Sequence, residues 1–573
     1  MATPDALDTS AFAAYAADER LRGLVGPGGP FEVQEVVLDG IPLRSFVRAP
    51  RTIVDAFQIA KAHADLTHLV LEDERLTFAQ VRAQALAIAG RLRSDFGVSR
   101  GDRVAIAMRN LPEFVVGFWS AAVLGAIVVP LNAWWTGPEL LYAIQDCGAK
   151  VVFADPERAE RLLAVGCPAQ IVGTRVPAAP DGFVRYEELA AGAPLSESDI
   201  VSLDPDDPVT LLYTSGTTGR PKGALGTSRN HITTLMAMGF STARGYLLSG
   251  HDPGTPVQGA GVSAAPLFHI GGIAVVVGGA MSGTKCVLMR KWDVDEALAL
   301  AVREGVTSFG GVPAMARQIL EHPDIGKLGL QVRTFSMGGA AVPPDLVRQA
   351  VAVFGDSIQL LNGYGSTETS SAVVTNVGAE YASHADSVGR PVITADLRIE
   401  GQDGKPVGPG EVGELCFRSA QVVKGYWNDP AATRQSFVGG WFHTGDVGYL
   451  DEEGFVYVVD RIKDVVIRGG ENVYCAEVEA VLFEHPDIAD VSVIGIPEHA
   501  MGERVCVVVV PRPGANLNLG ELRSFAAARM AGFKCPEALY LTDEVPRTAT
   551  GKTSKQALRA ELARPDTRIE RTW

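Results

Sequence analysis

Cysteine is scarce in this 573-residue chain: the seven are odd in number, widely scattered and without a C-x-x-C pair. That spacing argues against a disulfide framework or a thiolate zinc site, and makes a reducing cytoplasm the expected home. Basic charge is also in deficit, with 51 Lys and Arg against 67 Asp and Glu for a net −16. The deficit excludes a nucleic-acid coat and a peripheral protein of anionic membranes, so a polyanionic ligand has to be gripped by a local cluster of donors. The N-terminus carries acids where a secretion signal needs a basic end and an apolar stretch. Internal repeats and low-complexity tracts are missing too. Apolar residues at 47% and charged residues at 21% exclude a disordered or fibrous chain.

Long apolar runs without a break are likewise wanting. Residues 114–135 hold no charge over a membrane-spanning length, but Gly125 interrupts them and Ile127-Val128-Val129-Pro130 reads as a strand. Preceded by the apolar stretch 103–108, the segment predicts strand–helix–strand, the unit of a parallel sheet covered on both faces. Residues 257–284 are also uncharged, and their glycines suit a loop-rich pocket wall better than a bilayer helix. No transmembrane segment is expected.

What is present alternates. Val81, Ala85, Ile88 and Leu92 share one face of a helix over 76–96, with Thr77 as its N-cap. A strand at 150–154, a strand at 285–289, a helix from Asp293 to Glu304 and a strand near 306–309 continue an α/β pattern with mostly parallel sheets. After about residue 385, short apolar runs separated by Asp403-Gly404, Pro409-Gly410 and Glu453-Gly454 predict a small antiparallel β subdomain. From about 464 the pattern becomes mixed, with helices near 476–484 and 519–530 and strands at 489–496 and 504–511, a separate α+β module.

The sharpest chemical signal is YTSGTTGRPKG at 213–223, which packs four Ser and Thr hydroxyls, three glycines and Lys222 behind an apolar stretch. Glycines let successive amides cup an anion while hydroxyls and a lysine add donors and charge, which suits a polyphosphate. It is not a Walker A loop. Nor is PRTATGKT at 546–553, because Pro546 stands where that spacing needs glycine and only 20 residues follow Thr553. Lys552 on that turn reads either as a residue reaching into a site or as plain surface. Tyr364 offers a face for a base, Glu368 a carboxylate for Mg²⁺, and Asp446 an acceptor for a ribose diol. Taken singly they read equally well as a core tyrosine, a helix cap and a turn residue.

The order of these motifs resembles the adenylate-forming superfamily of acyl- and aryl-CoA synthetases, peptide-synthetase adenylation domains and beetle luciferases, over about residues 50–560. The resemblance implies residues 1–50 as an extension, an AMP-binding domain over 51–462 built of doubly wound α/β subdomains plus a small β subdomain, and a mobile α+β domain over 463–573. It implies a carboxylic acid, ATP, Mg²⁺ and coenzyme A as reactants, no nucleic-acid partner, and leaves a homodimer open. Thr214, Ser215, Gly216, Thr217, Thr218, Gly219 and Lys222 would surround the β- and γ-phosphates. Gly339, Ala340 and Ala341, with Asn362, Gly363, Tyr364, Gly365, Ser366, Thr367 and Glu368, would line the adenine and α-phosphate. Asp446 and Arg461 would hold the ribose, Glu368 the metal, Lys463 the hinge, and Gly469 and Gly470 the pantetheine tunnel. Lys552 would be the catalytic lysine, and His269 would sit beside the acyl carboxylate.

Such an enzyme makes an acyl-AMP and then a thioester, with the C-terminal domain rotating between the two, and needs no covalent nucleophile. The stretch 266–271 has no acid to pair with an α-ammonium, and 257–284 has no arginine for a malonate-type substrate. The small residues of 266–281, 308–315 and 336–341 point to a bulky apolar or aromatic acid or a medium-to-long acyl chain, unless those glycines serve backbone packing alone. Carrier-protein loading is the main rival to coenzyme A, a luciferase-like oxidation a remote third. A catalytically dead nucleotide binder is the reading from another class, against which the intact Thr218, Lys222, Glu368, Asp446 and Lys552 stand.

Overall fold

The Thr77 hydroxyl accepts from the Gln80 backbone amide and Gln80 Oε1 accepts from the Thr77 amide, a reciprocal cap that opens the helix Phe78–Phe96. Its Val81, Ala85, Ile88 and Leu92 are buried, as the periodicity predicts, and Gly97 ends it in the left-handed region. The computed structural model describes residues 11–176, 183–214, 220–250, 258–469, 471–548, 553–564 and 566–572. It is α/β, with a large N-terminal domain and a small C-terminal domain. By contacts the described chain divides into two units, residues 11–397 with Phe417–Phe442, and Arg398–Cys416 with residues 443–572.

The larger unit holds two large sheets and a two-stranded one, Val33–Leu38 against Ile41–Phe46. One large sheet runs in the order Lys222–Thr227, Pro208–Thr214, Ile127–Pro130, Arg103–Ala107, Val151–Ala154, Gln170–Gly173 and Phe183–Arg185, parallel except for its first pair. The other places Gln359–Ser366, Thr334–Gly338, Ser308–Gly311, Ala260–Ser263, Lys285–Leu288 and Thr67–Leu71 side by side and parallel, with antiparallel strands at both margins. The uncharged run does form strand–helix–strand. Its helix, Pro112–Ala122, is buried along all eleven residues and is about 16 Å long, too short for a bilayer core. No helix among the described residues is long and apolar enough to cross a membrane.

One expectation needs correcting. The glycine-rich stretch is helical from Ile270 to Ser282, with a π-turn at Ala274–Gly278, rather than loop-rich. A Cβ on Gly272 would fall 1.9 Å from the Leu267 carbonyl oxygen, so glycine there lets the helix start against its own entry loop. Residues 240–249 form the end of the helix Ser228–Ser249, stopped by Gly250 at φ +69°. Residues 11–50 pack on this helix: Tyr15 and Phe31 meet Phe240 edge to face, and the Tyr15 hydroxyl donates to the Pro391 carbonyl at 3.1 Å.

In the smaller unit, Val456–Arg461 runs antiparallel to Trp441–Leu450, and Gly404, Gly410 and Gly454 take the positive φ their turns require. Beyond it a six-stranded sheet is centred on Gly502–Pro511. Val505, Val507 and Val509 face the helices Cys475–Phe483 and Leu519–Ala527, while Cys506 and Val508 face Lys555–Leu562.

Candidate active site

Pro208–Thr214 and Lys222–Thr227 form the hairpin that carries the phosphate-loop motif, with Thr214 opposite Lys222 and its Oγ1 donating to the Lys222 carbonyl at 3.4 Å. Ser215, Gly216, Thr217, Thr218 and Gly219 lie outside the described residues. His231 supports the hairpin from beneath: its Nε2 is 2.7 Å from Thr210 Oγ1, and a Cβ on Gly226 would meet it at 2.8 Å. Burial pulls this imidazole down to about 4, so it stays neutral at physiological pH.

Residues 423–427 lie along the second hairpin strand. Leu225 N donates to Gly425 O at 3.0 Å, Lys424 N to Leu225 O at 3.2 Å, and Trp427 N to Gly223 O at 2.7 Å. At the other end Val423 N donates to Glu368 O at 2.9 Å. This strap sets the Tyr426 ring 5.3 Å from Lys222 Nζ while its hydroxyl donates to Glu368 Oε1 at 2.9 Å. Burial and the Glu368 carboxylate raise the phenol well above its ordinary value, so it remains a donor. Lys222 and Glu368 were read as separate motifs; Tyr426, which joins them, was missed. Its signal in the sequence was the pair Tyr426-Trp427 behind Gly425, whose φ of +136° suits only glycine.

The other motifs end where parallel strands end. Gly339, Ala340 and Ala341 are exposed beyond Thr334–Gly338, and Asn362, Gly363, Tyr364, Gly365 and Ser366 form the carboxyl end of its neighbour Gln359–Ser366. Tyr364 is half-buried, 6.1 Å from the Phe417 ring. Thr367 and Glu368 occupy the tight turn that follows, held where Ser366 N donates to Thr369 Oγ1 at 2.8 Å and Ser370 N to Thr367 O at 3.1 Å.

In this sheet Ala260–Ser263 is the point from which strand order runs both ways, and the loop after it carries His269. In the first sheet Arg103–Ala107 has the same place, and the loop after it carries Asn110. Ligands of open α/β sheets bind beyond such points. Buried Asn110 joins the two loops, donating to Ser263 O at 3.2 Å and Ala265 O at 3.0 Å and accepting from Leu267 N at 2.9 Å. His269 is half-buried at the N-cap of the short helix that follows.

The glycines of the expected acid pocket leave little volume. A Cβ on Gly338 would lie 3.0 Å from Gly363 O, and one on Gly310 3.1 Å from Ser336 Oγ; only that on Gly271, of these three, would meet nothing within 4 Å. A cavity of about 10 Å³, room for roughly one water, lies among Val262, Trp292, Phe309, Gly310, Met315 and Phe335.

In the smaller unit Asp446 stands opposite Arg461 in the antiparallel pair, with Arg461 Nε 3.0 Å from its Oδ1. The Asp446 amide donates to Thr444 Oγ1 at 3.0 Å. Lys463 follows in a 3₁₀ turn, where desolvation and Arg461 draw it below the ordinary lysine range, with Asp464 opposing. Asp464 accepts from Arg559 at 2.9 Å, which ties the turn to the helix Lys555–Leu562. Gly469 sits at φ +60° in the turn joining Val466–Arg468 to Glu471–Val473. Gly470 and Lys552 lie outside the described residues.

The AMP-binding enzyme family matches residues 56–427, and the AMP-binding enzyme C-terminal domain matches 477–552. A feruloyl-CoA synthase of Amycolatopsis is 36% identical over 84% of this chain and 93% of its own length. A long-chain-fatty-acid–CoA ligase of Mycobacterium tuberculosis is 33% identical over 86% of this chain and 94% of its own. Among solved structures, the o-succinylbenzoate CoA synthetase of Bacillus subtilis with its acyl-adenylate aligns with a TM-score of 0.76 at 30% identity, covering 89% of this chain and 98% of that one. The same enzyme is also known with ATP and a magnesium ion. With well over half of its length matched by one family and relatives of this similarity along most of the rest, the chain belongs to the AMP-binding enzymes, in the adenylate-forming superfamily of AMP-forming acyl- and aryl-CoA ligases.

Proposed function

We propose that this protein activates a bulky aromatic carboxylic acid with ATP and passes the acyl group to coenzyme A. The observation that carries the proposal is the junction of Lys222, Tyr426 and Glu368, which gathers a cation, a half-buried hydroxyl donor and a carboxylate from three distant segments.

A carboxylate is a poor electrophile because an oxide would have to leave. Its oxygen instead attacks the α-phosphorus of ATP, the bond from that phosphorus to the bridging oxygen breaks, and pyrophosphate leaves with the electron pair. Lys222 and the amides and hydroxyls of 214–219 would bind the β- and γ-phosphates, and Lys552 would neutralise charge that develops as the bond breaks. Glu368 suits a divalent ion because a carboxylate is a hard oxygen donor and Tyr426 occupies only its Oε1; it would hold the Mg²⁺ that offsets phosphate charge. Asp446 would accept hydrogen bonds from the ribose diol with Arg461 fixing its carboxylate, and Tyr364 would stack on adenine. The thiolate of coenzyme A then attacks the acyl carbon and AMP leaves. Gly469 and Gly470 would line its approach, and His269 would stand near the acyl carboxylate.

Aromatic acids are favoured over long chains by two considerations. The expected walls enclose only a void of about 10 Å³, and Gly310 and Gly338 are tightly packed, which offers no tunnel for a long chain. A feruloyl-CoA synthase and an indoleacetate–CoA ligase are among the relatives. The test is a panel of aryl-propenoic, arylacetic, medium-chain and long-chain acids with ATP, Mg²⁺ and coenzyme A, scored for pyrophosphate and thioester mass. Aromatic acids should exceed long-chain acids about tenfold or more in kcat/KM, a difference of about 1.4 kcal/mol in barrier. Failure to release pyrophosphate with any acid would overturn the activity. Release without a coenzyme A thioester would redirect the acceptor to a carrier protein.

A further inference from the structure

Outside these groups, four potential ligands meet in the smaller unit. Glu400 ends the strand Ala395–Glu400, Glu414 and Cys416 lie on Gly413–Ser419, and His443 on Trp441–Leu450. His443 Nδ1 is 3.1 Å from Glu414 Oε2, 3.4 Å from Cys416 Sγ and 3.8 Å from Glu400 Oε2. One ring N–H can donate to only one of the three. Glu400, Cys416 and His443 each bring one ligand atom within 4.8 Å of the other two, while Glu414 lies against His443. Separations from His443 of this size are those between neighbouring ligands at about 2.0–2.3 Å around a zinc ion.

The surroundings aim these atoms. Arg398 pairs with Glu400 through Oε1, and Gly445 N donates to Glu414 Oε1 at 2.9 Å, so each carboxylate has one oxygen fixed by the protein and turns the other towards His443. Cys416 is wholly buried and Glu400 nearly so, while His443 Nε2 is buried without a hydrogen-bond partner, leaving Nδ1 as the ring's working atom. Burial, then Glu400 and Glu414, push the Cys416 thiol well above its ordinary value, with Arg398 opposing. A divalent ion with neutral imidazole, one thiolate, two carboxylates and the Arg398 guanidinium sums to zero charge.

We propose that Glu400, Cys416 and His443 form a structural transition-metal site of zinc type, completed by Glu414 from beside His443. Binding exchanges the thiol proton for the ion: the S–H bond breaks, sulfur keeps the electron pair as a metal ligand, and the proton goes to solvent. The Glu414 ligand also holds the Gly445 amide, next to Asp446, so the ion would stiffen the strand pairing behind that residue.

The test uses the full chain, stripped with a chelator and titrated with Co²⁺, whose bond to a thiolate absorbs in the near ultraviolet. One equivalent of that absorption is expected, displaced by Zn²⁺, with affinity rising about tenfold per pH unit because one proton leaves per ion. Cys416→Ala should abolish the band. Ions at Glu368 or at the surface cannot mimic it, having no sulfur. Absence of the band in the wild-type chain, its persistence in Cys416→Ala, or binding without proton release would each overturn the site. Should Cys416→Ala not fold, the wild-type band and proton count still decide, and Glu400→Gln should weaken binding at least tenfold, an unchanged affinity counting against the site. Since no step depends on ATP or an acid, failure here leaves the ligase reading untouched.

Discussion

Replacing Tyr426 by phenylalanine removes one hydroxyl and keeps the ring beside Lys222. Glu368 loses its 2.9 Å donor, and a half-buried hydrogen bond to a charged group is worth about 1.5–3 kcal/mol. Tyr426→Phe should therefore slow ATP–pyrophosphate exchange at least tenfold while shifting the melting temperature little; exchange at the wild-type rate would remove Tyr426 from the site. His231 supplies a second residue-scale prediction. Its folded value of about 4 is below the ordinary 6.5, so the unfolded chain binds the extra proton first. Its stabilising contribution is complete above pH 6.5 and is lost as pH falls towards 4, by up to about 3 kcal/mol. His68, drawn down to about 3 by burial, adds to the same slope. Denaturation at pH 7 and pH 5 should show the loss, and His231→Gln should flatten it in part.

At the scale of elements, the turn that presents Glu368 depends on a close approach that side chains forbid. A Cβ on Gly365 would lie 1.9 Å from the Ser371 carbonyl oxygen. Gly365→Ala should destabilise by several kcal/mol, on the order expected for overpacking and a shifted backbone, and suppress exchange with it. Gly271→Ala is the contrast, since nothing lies within 4 Å of the added methyl. Its melting temperature should stay within a degree or two, while kcat/KM falls more for large acids than for small ones. Equal loss across the panel would place Gly271 away from the acid. Much of this scale was legible beforehand: Thr77, Asp293 and the alternating valines announce their elements through capping and periodicity. The helix Ile270–Ser282 was not, because glycine composition signals loop, and only the contact with Leu267 explains why glycine is needed within a helix.

For the molecule as a whole, the proposed chemistry divides between Lys552 for the adenylate and Gly469-Gly470 for the thioester. Lys552→Ala should abolish pyrophosphate exchange yet largely preserve thioester formation from pre-made acyl-AMP. Lys463→Pro, which fixes φ and removes an N–H, should do the reverse. Loss of both half-reactions in either variant would end that division.

Sequence alone determined the parallel α/β architecture, the motif order and the residue types of the nucleotide site, because periodicity, capping and Gly/Thr-rich loops are local properties of a chain. Tertiary structure decided the rest. That Tyr426 spans Lys222 and Glu368, that Asn110 joins the loops beyond the two sheets' switch points, and that Asp446 faces Arg461 depend on strand order and register. Cys416 was read as one scattered cysteine because its neighbours Glu400 and His443 come from other strands. Local spacing cannot encode such meetings, since pairing between distant segments is fixed only when their apolar faces are buried together.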